Sequence, residues 1–455
     1  MKLLIFALFI FVSPKLSAQG WTKSLKLDHY EEEMAELSRL GIDILGVDFE
    51  NKIVDIHLHD DQLLNLPKQF FNKEIPSPLS WKGSNLSEYH DPGEAKEIFE
   101  SLAQSYPDIS ELYVIGQSVE GRDILALKIS DNPREEESDE PVVLFNAMHH
   151  AREVMTTEVI LDAAEHLLTN YGKDFKVTEW VDDSEIWLVP NVNPDGGHKV
   201  HQGSNMWRKN TQGGYGVDLN RNYPFNWKSC NGSSGFRNSS TYRGPEPASE
   251  PETLALMNLV ETIKPVFNIS FHSYSEMVIY PYGCEPDVAE DDILLDVAEE
   301  MASGLIRDSG TGTYTYGTAW ELLYNADGGD IDWMYGTHNV LAYVIEVSGR
   351  SQGFQPDYSW RDPTVVKMRD SWGLILDKVK ESGIRGSLKD FDPQTTVLLE
   401  SLGDKGKQFK PREINPDGSF HFVTKPGMYR LSYLNPKGAL LESQEILVGG
   451  ELVRL

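Results

Sequence analysis

His150 and Glu153 stand three residues apart directly behind the mostly apolar run Val142–Ala147. An imidazole and a carboxylate placed where a strand turns into a helix can reach one ion. Zinc takes nitrogen and carboxylate oxygen as ligands, and a zinc site that does chemistry uses three protein ligands and keeps a fourth position for water. The spacing alone is weak evidence, because His29 and Glu32 repeat it inside what reads as a surface helix. His272 is the third candidate. It ends another apolar run, 266–271, and functional groups in open α/β sheets gather at the carboxyl ends of strands. A lone histidine there would be a structural hydrogen-bonding residue; its convergence with the other two makes it a ligand candidate. Glu346, within Tyr343-Val344-Ile345-Glu346-Val347, puts a carboxylate inside an apolar strand. That is costly unless the group is paired in a salt bridge or put to use.

Asp91, Pro92 and Glu94 form a capping box with proline at N1, opening a helix with Ala95, Ile98, Phe99, Leu102 and Ala103 on one face. Strand-like runs at 112–115 and 124–130 flank the turn Val119-Glu120-Gly121-Arg122. Beyond it strands and helices alternate, which predicts an α/β domain with a largely buried sheet. Its parts are strands at Val142–Ala147, Glu185–Val189, 266–271 and 342–347, a helix through Ile160, Ala163, Ala164, Leu167 and Leu168, and a helix at 365–379. Ser249-Glu250-Pro251-Glu252 reads as a second capping box, opening a helix with Leu256, Leu259, Val260 and Ile263 inward. Before this domain lies a short segment with a helix at 30–40 and strands at 42–47 and Ile53–Leu58, then a linker around Pro76, Pro78 and Gly83. After residue 382, short alternating strands broken by Asn415-Pro416-Asp417-Gly418, Lys425-Pro426-Gly427 and Asn435-Pro436-Lys437-Gly438 predict a small antiparallel β-sandwich over 383–455.

A chain of 455 residues has room for two or three domains, and 41 basic against 71 acidic residues, a formal charge of −30, argues against a nucleic-acid surface. Residues 1–18 read as a secretory signal: Lys2, an apolar run over 3–12, then Leu16-Ser17-Ala18 ahead of Gln19. The alternative, a membrane anchor, is disfavoured because the run is too short to span a bilayer and no second long apolar stretch follows, so no stable membrane insertion is expected. The protein is expected to be secreted, extracellular or periplasmic. Cys230 and Cys284, the only cysteines, allow one disulfide or two free thiols.

Over about residues 89–380 the chain resembles the zinc metallocarboxypeptidase family that includes the pancreatic carboxypeptidases. The likeness rests on Ile115-Gly116-x-Ser118-x-Glu120-Gly121-Arg122, His149-His150-Ala151-Arg152-Glu153, Asn193-Pro194-Asp195-Gly196, Trp207-Arg208-Lys209, Asp218-x-Asn220-Arg221-Asn222, Ser249-Glu250-Pro251-Glu252, His272-Ser273-Tyr274, Tyr280-Pro281-Tyr282-Gly283 and Ile331-Asp332-Trp333, in family order. The resemblance implies a mixed, mostly parallel central sheet flanked by helices. It implies one zinc ion on His150, Glu153 and His272, with Asp218 orienting His150. Asn220 and Arg221 match the pair that grips the substrate's terminal carboxylate, and a planar guanidinium can pair both oxygens. Arg208 matches the residue that polarises the scissile carbonyl, Arg152 and Tyr274 match substrate contacts, and Tyr324 matches a mobile tyrosine that covers bound substrate. Glu346 would be the general base, and the outcome would be release of one C-terminal amino acid from peptides or proteins with a free carboxylate.

The sequence also departs from the family pattern. Asn205 stands where pancreatic members carry an arginine. Ile331 aligns with the base of the specificity pocket and favours hydrophobic or aromatic C-terminal residues, with Ala319 leaving room, whereas Asp327 and Asp330 nearby could attract lysine or arginine or be solvated turn residues. Residues 19–78 fit an activation segment or an accessory domain, and 383–455 resemble the transthyretin-like domains attached to some carboxypeptidases. Two rival readings are a cell-wall peptidase of the same superfamily, which Asn220 and Arg221 disfavour, and a catalytically dead binding protein, which the intact ligand set and Glu346 disfavour.

Overall fold

The computed structural model describes residues 20–77, 86–135, 137, 140–284, 292–389, 391–403, 409–415 and 417–455. The signal-like residues 1–18 and most of the linker lie outside these ranges.

Eight strands form the central sheet: β1 (Ser110–Gln117), β2 (Asp123–Ile129), β3 (Val142–Ala147), β4 (Glu185–Val189), β5 (Phe267–Ser273), β6 (Met277–Tyr280), β7 (Thr315–Thr318) and β8 (Leu341–Val347). Their order is β7-β6-β8-β5-β3-β4-β2-β1. Four of the seven pairings are parallel, β7/β6, β8/β5, β5/β3 and β3/β4, so the sheet is mixed and mostly parallel as the resemblance implies. All six residues of β3 are buried, because helices cover both faces of the sheet and leave no polar side to alternate with.

Those helices start and stop for local reasons. α1 (Pro92–Ser105) opens on the expected capping box: the Asp91 carboxylate accepts from the amides of Gly93 at 2.7 Å and Glu94 at 2.9 Å, and Glu94 accepts from the Asp91 amide at 2.9 Å. α1, α2 (Met155–Asn170) and a later helix, Arg361–Glu381, bury Phe99, Ile160, Leu167 and Trp372 against one face of the sheet. α3 (Pro251–Ile263) and α4 (Asp330–His338) cover the other with Leu256, Leu259, Val260 and Trp333. The second capping box does not form. Glu250 is the N-cap of α3 without a side-chain bond, and Ser249 Oγ donates to Glu250 instead. Glu252 is drawn inward, where it accepts from the Val119 amide at 3.0 Å and Asn210 Nδ2 at 3.1 Å, and burial pushes its carboxyl up to about 7.

Ahead of the sheet, strands Asp43–Asp48, Ile53–Leu58, Trp21–Lys26 and Glu74–Ile75 pair antiparallel in that order, with helix Tyr30–Arg39 packed on them. Leu25, Val54, Ile56 and Phe70 join the same apolar cluster as α3, so this unit is continuous with the central core. After the sheet, Gly383–Ser387, Ser419–Val423 and Leu452–Arg454 face four further strands across Ile384, Leu399, Phe420 and Leu431. One pairing there, Gly383–Ser387 with Leu452–Arg454, is parallel, so this small sandwich is not wholly antiparallel.

Just before β3, Glu140 is buried beside Asp131 and Glu137. Burial, then the charges of Glu137, Asp131 and Glu185, push it up to about 9. The folded state therefore prefers the neutral acid while the unfolded chain ionises near 4.5, so this group costs stability increasingly as pH rises from about 4.5 towards 9. Glu140→Gln removes that cost. Urea unfolding at pH 8 should show the variant more stable by about 1–2 kcal/mol, with the gain disappearing at pH 4.

Candidate metal centre and substrate cavity

β3, β5 and β8 lie side by side and parallel, so their carboxyl ends open on one edge of the sheet. The loop after β3 carries His150 and Glu153, the sixth residue of β5 is His272, and the sixth of β8 is Glu346, directly opposite His272 in register. Three donor sets converge there. His150 Nδ1 is 2.8 Å from Glu153 Oε1, His272 Nδ1 is 3.0 Å from Glu153 Oε2, and the two Nδ1 atoms are 3.0 Å apart. Burial alone would raise Glu153, but the imidazoles of His150 and His272 hold its carboxyl well below the usual range.

This donor set fits zinc. Ligand atoms about 2.0–2.2 Å from a tetrahedral ion lie roughly 3.3–3.6 Å from one another, and these three groups, 2.8–3.0 Å apart, need to separate by only about half an ångström to reach that spacing. Two imidazole nitrogens aimed at each other across 3.0 Å are otherwise poorly matched unless one carries a proton. His29 and Glu32, with the same sequence spacing, assemble nothing: His29 precedes helix Tyr30–Arg39 and Glu32 is exposed on it.

The surrounding groups fix the ligands. Asp218 Oδ1 is 3.3 Å from His150 Nε2, and its other oxygen accepts from Arg208 Nε at 3.1 Å. Asn220 Nδ2 is 3.3 Å from His272 Nε2, while its Oδ1 accepts from the Asp330 amide at 2.9 Å. No motif or spacing signals this contact to His272. His149, the first residue of the motif that carries His150 and Glu153, stacks on His272 at 5.6 Å and hydrogen-bonds Tyr223 Oη at 2.9 Å; Tyr223 belongs to no motif. Arg221 spends two donors on backbone oxygens, those of Gly232 and Asn220, and reaches Tyr324 Oη at 3.3 Å with Nη2. Glu346 is the one partly accessible residue of β8. Burial and the neighbouring Glu153 carboxylate push it up to about 7.

His150, Glu153, Arg208, Asn220, Arg221, His272, Tyr274, Tyr324, Ile331 and Glu346 all border one cavity of about 90 Å³, room for several waters. Ile279, Ala319, Leu323, Ala326, Ile331 and Val344 form its apolar wall. Arg152 is not on it. Its Nη1 and Nη2 pair with both Asp43 oxygens at 2.7 and 3.0 Å, and Phe354 lies 4.3 Å beneath the guanidinium. Tyr274 Oη donates to Asp55 at 3.3 Å, Arg350 also holds Asp55, and Ile44, Leu45 and Gly46 border the cavity. A Cβ on Gly46 would sit 2.4 Å from the Tyr274 ring, so the strand Asp43–Asp48 can approach this closely only with glycine there. Neither Asp43 nor Asp55 carried a signal in the sequence.

Neither Asp327 nor Asp330 is a solvated turn residue. Asp327 is buried and accepts from the amides of Cys230 and Gly232 and from Ser233 Oγ, which shapes the loop beside Arg221. Asp330 is fully buried with both oxygens sealed from solvent, 3.9 Å from His149 Nε2 at the closest pairing. Cys230 and Cys284 form a disulfide that joins this loop to the cavity wall next to Gly283.

The sequence profile of the family described as zinc carboxypeptidase matches residues 95–371. A zinc carboxypeptidase of Simulium vittatum is 32% identical over 308 residues, covering 65% of this chain and 98% of its own. Carboxypeptidase A1 of Rattus norvegicus is 32% identical over 341 residues, 73% of this chain and 78% of its own. Among solved structures, carboxypeptidase A of Helicoverpa armigera superimposes with a TM-score of 0.67 at 21% identity, covering 79% of this chain and 96% of that one, a likeness of fold.

Proposed function

The chain belongs to the zinc carboxypeptidase family, a zinc metallocarboxypeptidase with the metal on His150, Glu153 and His272, and from that premise we propose how its own residues divide the work. Zinc, when bound, supplies Lewis-acid chemistry, acidifying water and polarising the peptide carbonyl. Arg221, 6% exposed, offers its remaining donor directions to a substrate's terminal carboxylate, with Asn220 beside it. Arg208, fixed by Asp218, stands where negative charge develops on the carbonyl oxygen and stabilises it. Glu346 takes a proton from the attacking water and passes it to the departing nitrogen. Tyr324, resting on Arg221, closes over bound substrate. The apolar wall around Ile331, with Asp327 taken up by the loop at 230–233, favours a hydrophobic or aromatic C-terminal residue.

The observation that supports this reading most is the placement of Glu346 opposite His272, on the same cavity as Arg221. Once the chain is cut between Ser77 and Leu86, a blocked dipeptide ending in phenylalanine should be cleaved, its C-terminal amide should be cleaved at least about a hundredfold more slowly, and a chelator should stop both until zinc is restored. Equal rates on acid and amide would favour the cell-wall peptidase reading instead.

We further propose that residues 19–78 are an inhibitory segment, 79–382 the catalytic domain and 383–455 an accessory domain. The pairing of Asp43 with Arg152 and of Asp55 with Tyr274 and Arg350 supports the first of these. Export is supported by the leader-like residues 1–18 and by the disulfide, which suits an oxidising compartment. No helix among the described residues is long and apolar enough to cross a membrane.

A further inference from the structure

Three aromatic rings surround one ammonium where the C-terminal unit meets the central domain. Lys410 Nζ lies 5.0 Å from the centre of Tyr335, 5.1 Å from Tyr282 and 5.6 Å from Phe225. It donates to the Tyr282 hydroxyl and, at 3.3 Å, to the Gly336 carbonyl. The rings touch one another as well: Phe225 stacks on Tyr282 at 5.3 Å, and Tyr282 meets Tyr335 at 5.6 Å. The ammonium therefore sits at the hydroxyl edge of Tyr282, held by its oxygen, while the rings of Tyr335 and Phe225 add an attraction that strengthens as water is excluded.

Each ring is attached to a different wall of the substrate cavity. Phe225 follows Arg221 by four residues. Tyr282 directly precedes Gly283, which lines the cavity. Tyr335 lies one turn beyond Ile331 on α4. The Gly283 wall has no slack, because its amide donates to Asp332 at 2.9 Å, its carbonyl accepts from Ala326 at 2.8 Å, and a Cβ there would sit 2.5 Å from the Ala326 oxygen. A displacement of Tyr282 is therefore passed to Gly283 and Ala326. The lysine's own backbone is anchored separately. Asn339 Nδ2 donates to the Lys410 carbonyl at 3.3 Å, and buried Arg412 donates to the carbonyls of Asn339, Lys264 and Pro265 at 3.3, 3.2 and 2.8 Å.

We propose that Lys410 is a positioning residue for the substrate side-chain pocket: one ammonium from outside the catalytic domain ties three pocket walls together, so the C-terminal unit frames the site for the C-terminal residue. This rests on the reading of that cavity given above. Because Arg412 holds the segment in place, Lys410→Met removes the ammonium without undocking the unit.

The test uses the full chain, freed of N-terminal inhibition by a cut at a specific-protease site inserted between Ser77 and Leu86. With Lys410→Met, KM for a blocked dipeptide ending in phenylalanine should rise roughly fivefold and kcat stay within about twofold, with a smaller KM change for the alanine-ending peptide; Lys410→Arg should recover most of the loss. The affinity of the zinc-loaded protein for 3-phenylpropanoate, by calorimetry, should fall by a similar factor. An unchanged affinity overturns the proposal, as does an equal KM rise for both peptides or a lower active fraction with KM unchanged. The calorimetric arm needs no turnover. A wild type that binds the probe but cleaves neither peptide would count against the proposed reaction and not against the frame.

Discussion

Glu346→Gln is expected to lower kcat by about a thousandfold while leaving zinc at one equivalent and KM within a few fold. Glutamine preserves size and polarity but cannot accept a proton. The three donor atoms that hold the metal belong to His150, Glu153 and His272, so the ion has no reason to leave. The carboxyl of Glu346, raised to about 7 by burial and by Glu153, must be ionised to act as a base, so wild-type activity should climb with pH through its acidic limb. The residual activity of the variant should lack that limb. Stopped-flow or steady-state kinetics with metal analysis on the same samples decides the matter. A variant that turns over within tenfold of wild type, or that loses its zinc, would remove Glu346 from the role assigned to it.

The second large effect concerns the segment that precedes the catalytic domain. The intact chain should be nearly inactive, and a cut at the inserted site between Ser77 and Leu86 should raise kcat/KM by at least about a hundredfold, the scale expected for losing a buried ion pair worth roughly 3–5 kcal/mol. Arg152 is 1% exposed and both its terminal nitrogens are taken by Asp43. Burial opposes ionisation of Asp43, yet Arg152 outweighs it and holds the carboxyl below its ordinary value. Asp43→Ala would leave the guanidinium buried without a counter-charge, so the uncut variant should show intermediate activity. Equal rates before and after cutting would make residues 19–78 an accessory domain.

The metal centre was legible because its chemistry is tied to strand ends. His150, His272 and Glu346 each interrupt or follow an apolar run, and a polar group at such a place is conspicuous. The same logic fails for Asp43 and Asp55. A carboxylate in a short alternating strand looks like an ordinary solvated face, and only the docking of that strand against Arg152 and Tyr274 gives it a partner. Ser249 and Glu252 show the opposite error. Their spacing satisfies a local rule, but the pull of Val119 and Asn210 on Glu252 is tertiary and no window of sequence contains it. Asp327 misled for a related reason: three donors from the loop at 230–233 claim it, and their proximity depends on the disulfide and on the approach of two chain segments nearly a hundred residues apart. Polar groups that interrupt or end an apolar strand were readable, and pairings made only when separate segments dock were not.

The register of β5 against β8 has an evolutionary corollary. His272 and Glu346 face each other because both strands are the same seven residues long and start level, Phe267 beside Leu341. Side chains alternate between faces, so one inserted or deleted codon in either strand would turn ligand or base towards the wrong layer. Descendants of this gene are therefore free to exchange much of what these strands are made of, and not free to change their length.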